Sequence, residues 1–403
     1  MPENTLRAHD EAFWQTFVDR YDAPPDGPLN LENGYFGRMS RTVVEEYQRN
    51  IDFINRSNSV YVRQHFDREQ GEAIRRQVAE LIKAPAQTVV LTRSAVDALQ
   101  SLIRNYNGLK PGDQVLICDL EYQSVKNAMR WLARQRGVEL IELVHQHPAS
   151  FESLLGTYRE AFIRYPRLKL MALTYVNHLT GLVMPVQAIA EAAREFDVDI
   201  ILDGAHALGQ IDFDLAKMGI PFAGFNLQKW IGGPLALGFL YIAPERLADI
   251  DPDMDDSHYP ANDIRSRTPH STPNIPALLT LPLVFEEHRA LGGALAKGAR
   301  LCYLRDLWVS AVRDLWVSAV RDLPGIEVMT PDDRRLYCGI TSMRFTTQAD
   351  QQAMADRLLN DYGIFTVVRD TSAGPCIRIT PGLITLASDI ERLTRALIEL
   401  SCT

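Results

Sequence analysis

The 403-residue chain carries a formal net charge of −9 and is 46% apolar. That allows a large buried core, suggests a major domain plus a lesser one, and argues against a general affinity for nucleic acid or an anionic membrane surface. Five cysteines (Cys118, Cys302, Cys338, Cys376, Cys402) are scattered without C-x-x-C spacing, which suits a reducing compartment and gives no hint of a zinc site or a disulfide framework. The opening stretch MPENTLRAHDEAFWQTF lacks an apolar run of signal-peptide length, and no later stretch is apolar enough to span a bilayer, so cytoplasmic residence is expected.

Residues 1–60 read as irregular to helical. From about 74 to 242, apolar β-branched runs alternate with amphipathic stretches. TVVLT (88–92), QVLIC (114–118), VELIEL (138–143), LKLMALT (168–174), VDIIL (198–202) and LGFLYI (237–242) are expected strands. AVDALQSLIRNY, SVKNAMRWLARQRG, FESLLGTYREAFIR and QAIAEAAREF carry apolar residues at helical spacing between them. Such alternation predicts a largely parallel, doubly wound α/β sheet with ligands at the C-terminal strand ends. HYPANDIRSR (258–267) is polar and is expected to be a mobile cover over the site. Residues 285–403 predict a long helix and then a short α+β unit containing TSMRFTT, GIFTVV, CIRIT and a closing helix, DIERLTRALIEL. The expected division is a large domain over 31–284 and a small domain formed by 1–30 with 285–403.

RDLWVSAV occurs twice in tandem, at 305–312 and 313–320. Eight extra residues lengthen a helix by about 12 Å and rotate the downstream chain by about 80°. This is too short for a solenoid repeat and reads as a tolerated duplication in one exposed helix or as a sequence artefact rather than a functional element, with Trp308 and Trp316 as candidates for an interface.

The chemistry centres on VDIILDGAHALGQ and FNLQKWIGGP. The first run ends at Asp203, which puts a carboxylate at a strand end; taken alone, such an Asp is more often a cap or turn residue. Lys229 lies one short helix (DLAKM) and one return strand (FAGFN) farther on, so both groups reach the same sheet edge. Pyridoxal phosphate unites them, needing a lysine for its aldehyde and a carboxylate facing its pyridine nitrogen. Independently, LTRSAVDALQ reads as a strand running into a helix with an S-x-x-D cap at Ser94, a helix N-terminus suited to an anion.

DGAHALGQ followed by N-x-(H/Q)-K-W and a GP turn resembles the class V aminotransferase and cysteine desulfurase superfamily of pyridoxal-phosphate fold type I, most closely its isopenicillin N epimerase-like branch. The likeness runs from LENGYFG (31–37) to IRIT (377–380). It implies that Lys229 bears the cofactor, that Asp203 pairs with the ring nitrogen and that His206 lies against it. Ser94, Ala95 and Val96 are then expected at the phosphate, chiefly through backbone N–H, with Val96 standing where the family often has threonine. Asn226 and Gln228 flank the same end, Gln228 where histidine is commoner. Tyr122, in DLEYQS, matches the residue that stacks on the ring. Asn177 and His178, in TYVNHLTG, fall where a polar group meets the ring's 3-oxygen, His178 being the nearer match. Thr272, in STPN, matches a residue that reaches the partner subunit's phosphate, which implies a homodimer with shared active sites. Arg378, in CIRITP, matches the arginine that clamps the substrate α-carboxylate, and Asn33 is expected at the substrate end. No metal site is expected.

The resemblance covers transamination, epimerisation, β-elimination, decarboxylation and sulfur abstraction alike. Cys376 lies two residues before Arg378 in an expected strand, where a thiol is inert packing more often than a nucleophile, so a persulfide-forming desulfurase is disfavoured. An aminotransferase or epimerase acting at an amino acid's Cα is expected, with Lys229 as base and Tyr122 or His178 as candidate proton donors on the opposite face. A lyase without a catalytic cysteine stays open. So does a silent scaffold, against which the joint presence of Asp203, Lys229 and Arg378 speaks. A nicotinamide dehydrogenase is weak because no G-x-G-x-x-G follows a strand.

Overall fold

The computed structural model describes residues 7–318 and 325–401. An extended arm contributes the two-residue strand β1 (Leu29–Asn30). Then come β2 (Val89–Thr92), β3 (Gln114–Cys118), β4 (Glu139–Leu143), β5 (Leu168–Thr174), β6 (Asp199–Asp203), β7 (Phe222–Asn226) and β8 (Gly238–Ile242). These seven form one sheet in the order β2-β8-β7-β6-β5-β3-β4. Strands β3 to β7 pair in parallel, and β8 runs antiparallel to both neighbours.

Period-two alternation explains how the sheet is covered. Val115, Ile117, Leu170, Ala172, Ile201, Phe222 and Leu240 face one core with Leu99 and Leu102 of the Ala95–Asn105 helix. Leu116, Met171, Leu173, Ile200, Leu202, Ala223, Phe225 and Phe239 face the other. Both faces are covered, so strands such as QVLIC and FAGFN are apolar along their interiors, as VLIC and FAGF. Gly224 lets the Ala95–Asn105 helix settle on the sheet, since a Cβ there would stand 2.8 Å from Leu99 and 3.1 Å from the Ala95 carbonyl. That close approach fixes where the helix N-terminus sits relative to β7.

The smaller sheet contains β9 (Ile326–Val328), β10 (Thr341–Phe345), β12 (Val367–Thr371) and β13 (Gly374–Ile379), all antiparallel in the order β12-β13-β10-β9. The two-residue strand β11 (Ile364–Phe365) pairs with β1 in parallel. Leu31, Leu304, Trp308, Met343, Ile377, Ile379, Leu393 and Leu397 form its core. The arm carrying β1 therefore packs on the second sheet, beside the C-terminal third of the chain. Among the described residues, no helix is long and apolar enough to cross a membrane.

Two expectations are corrected. The first RDLWVSAV copy lies in the Gly293–Ser318 helix, but it is core rather than exposed surface: Trp308 is 0% exposed and Val309 and Val312 are buried with it. Apolar Trp, Val and Val fall on one helical face, and the second sheet covers that face. Trp316 lies outside the residues whose side chains are described. The 258–267 segment is not a free cover either. Ile264 joins the main core, and the buried Arg267 donates to the carbonyls of Leu247 and Ala261 at 3.1 and 2.7 Å. Trp308→Ala should lower the unfolding free energy by about 3–5 kcal/mol, read by urea denaturation. A loss under about 1 kcal/mol would contradict a core role.

Candidate active site

Four parallel strands deliver their C-terminal ends to one edge: β3 leads to Glu121 and Tyr122, β5 to Asn177 and His178, β6 to Asp203 and His206, and β7 to Asn226, Gln228 and Lys229. Lys229 Nζ lies 2.7 Å from His206 Nε2. Dense protein around the amine lowers its pKa to about 8; Arg378 acts in the same direction, while Asp203 and Glu32 oppose it. Burial, and then the charge of Lys229, hold His206 well below its ordinary value. At neutral pH its imidazole is uncharged and accepts from the Lys229 ammonium. Asp203 is buried, a position that pushes its carboxyl up against the opposing pull of the Ala205 N–H and Lys229. Oδ1 accepts from Ala205 N–H at 2.9 Å, and Oδ2 has no hydrogen-bond partner among the described residues.

At the other end of the cleft Ser94 caps the Ala95–Asn105 helix, its Oγ accepting from Asp97 N–H at 3.2 Å. Ala95 N–H, expected on the phosphate, instead donates to Asn226 Oδ1 at 2.8 Å. That oxygen also accepts from Gln228 Nε2 at 3.2 Å, so Asn226 straps the helix start to the turn bearing Lys229. The N–H groups of Ser94 and Val96 have no partner among the described residues, and they remain as helix-end donors.

Tyr122, 42% exposed, meets the His178 ring edge to face at 4.9 Å. Burial, followed by the charge of Arg378, lowers His178 to about 3, and its Nδ1 is buried without a partner. Asn177 does different work. Its Oδ1 accepts from Leu179 N–H, Thr180 N–H and Thr180 Oγ1, and its Nδ2 donates to the Leu120 carbonyl, so it builds the turn that presents His178. Glu121 is a site residue that sequence reasoning missed. It is buried, accepts from the Thr174 hydroxyl and N–H, and is pushed up to about 8 by burial. The glutamate in DLEYQS was the available signal.

Arg378, on β13, is buried; it donates to the His178 carbonyl and pairs with Glu32, while its Nε is left unpartnered. Asn33 is buried beside it, but both its side-chain donors are engaged by the Asn30 and Thr380 carbonyls, at 2.9 and 3.0 Å. Cys376 lies inside β13, paired in register with Arg369, and burial pushes its thiol up to about 11. Thr272 is exposed just before the Ile275–Ala290 helix and makes no hydrogen bond to the other site residues within this chain.

These groups fit a pyridoxal phosphate. The cleft holds a desolvated amine, a buried carboxylate with one open oxygen, free N–H groups at a helix start, and unpartnered buried atoms at His178 Nδ1, His206 Nδ1 and Gln228 Oε1. Buried polar atoms without partners are rare unless something else meets them.

The profile of the aminotransferase class-V family matches residues 38–379. An isopenicillin N epimerase of Streptomyces clavuligerus is 27% identical over 347 residues, spanning 81% of this chain and 83% of that protein. A probable cysteine desulfurase of Mycolicibacterium paratuberculosis is 30% identical over 212 residues, 50% of this chain and 29% of that one. In fold, the cysteine desulfurase CsdA of Escherichia coli superposes with a TM-score of 0.77 at 20% identity, covering 96% of this chain and 99% of that one. The cystine C–S lyase C-DES gives 0.79 at 18% identity, over 92% and 97%. Profile, relatives and cleft agree: the chain belongs to the class V aminotransferase family of pyridoxal-phosphate enzymes.

Proposed function

We propose that the enzyme acts at Cα of an amino acid or amino-acid-like substrate, as an aminotransferase or epimerase, without a cysteine nucleophile. The observation that carries this reading is the Lys229 amine, brought near neutrality beside a neutral His206, while Cys376, two residues before Arg378, is held protonated inside its strand. The cofactor, once bound, supplies an electron sink for the charge left at Cα. Lys229 Nζ takes and returns the Cα proton, and His206 Nε2 holds its hydrogen bond through the exchange. Asp203, through its open Oδ2, would pair with the ring nitrogen of the bound cofactor. The Ser94 and Val96 N–H groups, with Gln228, would hold the phosphate. Arg378 orients the α-carboxylate, and its contact with the His178 carbonyl sets that clamp against the turn beside Tyr122. Tyr122 is the candidate donor on the opposite face, with His178 second because it stays uncharged.

A second reading, a lyase that cleaves C–S or another β-bond without a cysteine, is supported by relatedness to a hercynylcysteine sulfoxide lyase of Schizosaccharomyces pombe, 22% identical over 245 residues. We further propose a cytoplasmic homodimer in which the exposed Thr272 reaches the partner's phosphate site, and a two-domain division at residues 30/31 and 284/285. A silent scaffold is disfavoured, since a desolvated lysine beside a buried aspartate lowers stability without a ligand to offset it.

Protein loaded with pyridoxal phosphate and desalted should show a visible band that Lys229→Ala lacks, and the variant should exchange amino-acid Cα protons into D2O at least ~100-fold more slowly. A colourless wild type would overturn the proposal. The rate of cofactor loading onto apoprotein should rise with pH, half-maximal near pH 8, because the protonated amine below that value cannot attack. A midpoint at the ordinary lysine value would contradict the desolvated amine. Cys376→Ala should change Cα exchange by no more than about threefold, under ~1 kcal/mol; loss of all exchange would restore a thiol mechanism.

A further inference from the structure

The substrate end of the cleft contains two guanidiniums and one carboxylate. Arg378 on β13 and Arg369 on β12 share a face, since Arg378 lies opposite Val367 and Arg369 opposite Cys376 in the antiparallel register, and alternate residues face the same way. Glu32 stands between them. Its Oε1 accepts from Arg378 Nη2 and lies 3.4 Å from Arg369 Nη2, while its Oε2 is buried without a partner. Side-chain exposure is 9% for Glu32 and 3% for Arg378, so the pair is enclosed. Arg369 is more open, at 30%.

The backbone holds Glu32 there. Glu32 N–H donates to Asn30 Oδ1 at 2.9 Å, Thr380 N–H to the Leu31 carbonyl at 2.7 Å, and Asn33 N–H to the Thr380 carbonyl at 3.2 Å. The arm thus runs as an extra strand beside the end of β13, with Glu32 bridged to Thr380. Gly34 passes close to the guanidinium, where a Cβ would stand 3.2 Å from Arg378 Nη2 and crowd it. Two guanidiniums against one fixed carboxylate leave one net positive charge, enough for one incoming carboxylate. A second would approach Arg369 and meet the Glu32 charge, and like charges in an enclosed site repel strongly.

Building on Arg378 as the α-carboxylate clamp, we propose that Glu32 is a specificity-determining residue: an internal carboxylate that claims Arg369 and restricts the enzyme to amino acids whose only anionic group is the α-carboxylate. Acidic amino acids are excluded by the arm itself, with Glu32 occupying the place their distal carboxylate would take.

The test is calorimetric titration of the cofactor-loaded enzyme with propionate, which has one carboxylate, and succinate, which has two. Wild type should bind propionate at least about tenfold more tightly than succinate, ~1.4 kcal/mol. Glu32→Gln should tighten succinate relative to propionate by about tenfold, ~1.4 kcal/mol, and Glu32→Gln with Arg369→Met should lose that gain. Equal shifts for both ligands in Glu32→Gln, a gain that survives loss of Arg369, or a wild type that binds succinate as tightly as propionate would each overturn the proposal. If Glu32→Gln does not fold, Arg369→Met alone decides. An unchanged succinate-to-propionate ratio supports the proposal, and a selective loss of succinate sinks it. Arg378→Met separates two failures. Undiminished propionate binding there overturns the clamp and the proposal with it, whereas loss of propionate without selectivity in Glu32→Gln overturns the proposal alone.

Discussion

Removing the Lys229 amine from water is the constraint on which the site is built. A lysine in ordinary solvent is an ammonium ion and a poor nucleophile; here its pKa falls to about 8. The shift needs a site in which the imidazole at 2.7 Å is itself neutral and the nearby carboxylate is one strand away. Parallel strands β6 and β7 supply that arrangement, because adjacent parallel strands end at the same edge. The strand ends thereby turn a common residue into a reactive one.

The second sheet governs the opposite end of the cleft. Arg378 reaches across to the carbonyl of His178, a residue positioned by the turn after β5, and the N-terminal arm delivers Glu32 to the same guanidinium. Three distant stretches of chain therefore meet at one buried charge. Burying an arginine without a counter-charge costs far more than the pair contributes. The arm, the 177–181 turn and β13 are accordingly coupled, and displacement of any one exposes the charge of the others. The trapped carboxylate holds the clamp in shape and also limits the charge a ligand can bring.

The sheet is legible in the sequence wherever its strands are covered on both faces. QVLIC, LKLMALT and FAGFN contain the apolar runs VLIC, LMAL and FAGF, and they become β3, β5 and β7. Asp203 and Lys229 are legible because they sit where such runs stop. The features that escape depend on long-range pairing or backbone chemistry. Glu32 lies in LENGYFG with no local mark of its role, since its partner is 346 residues away. Ala95 N–H is expected on the phosphate because no side-chain pattern reveals that Asn226 takes it. Trp308 reads as surface because the duplication suggests a solvent-exposed helix, while the packing of the second sheet beneath it leaves no periodic mark beyond its own apolar face. β9 and the β1–β11 pair are too short to carry alternation.

Two lysines among the described residues are desolvated, which allows a direct test. Lys297 is buried with its Nζ on the Trp230 carbonyl at 2.9 Å, and burial lowers its pKa to about 7. Asp203 is not among the charges that act on it, as it is for Lys229. Borohydride reduction of the cofactor-loaded protein, followed by peptide mapping by mass spectrometry, locates the lysine that carries the pyridoxyl group. The account predicts a single modified residue, Lys229. Modification of Lys297, or labels spread over surface lysines with Lys229 unmodified, would contradict it.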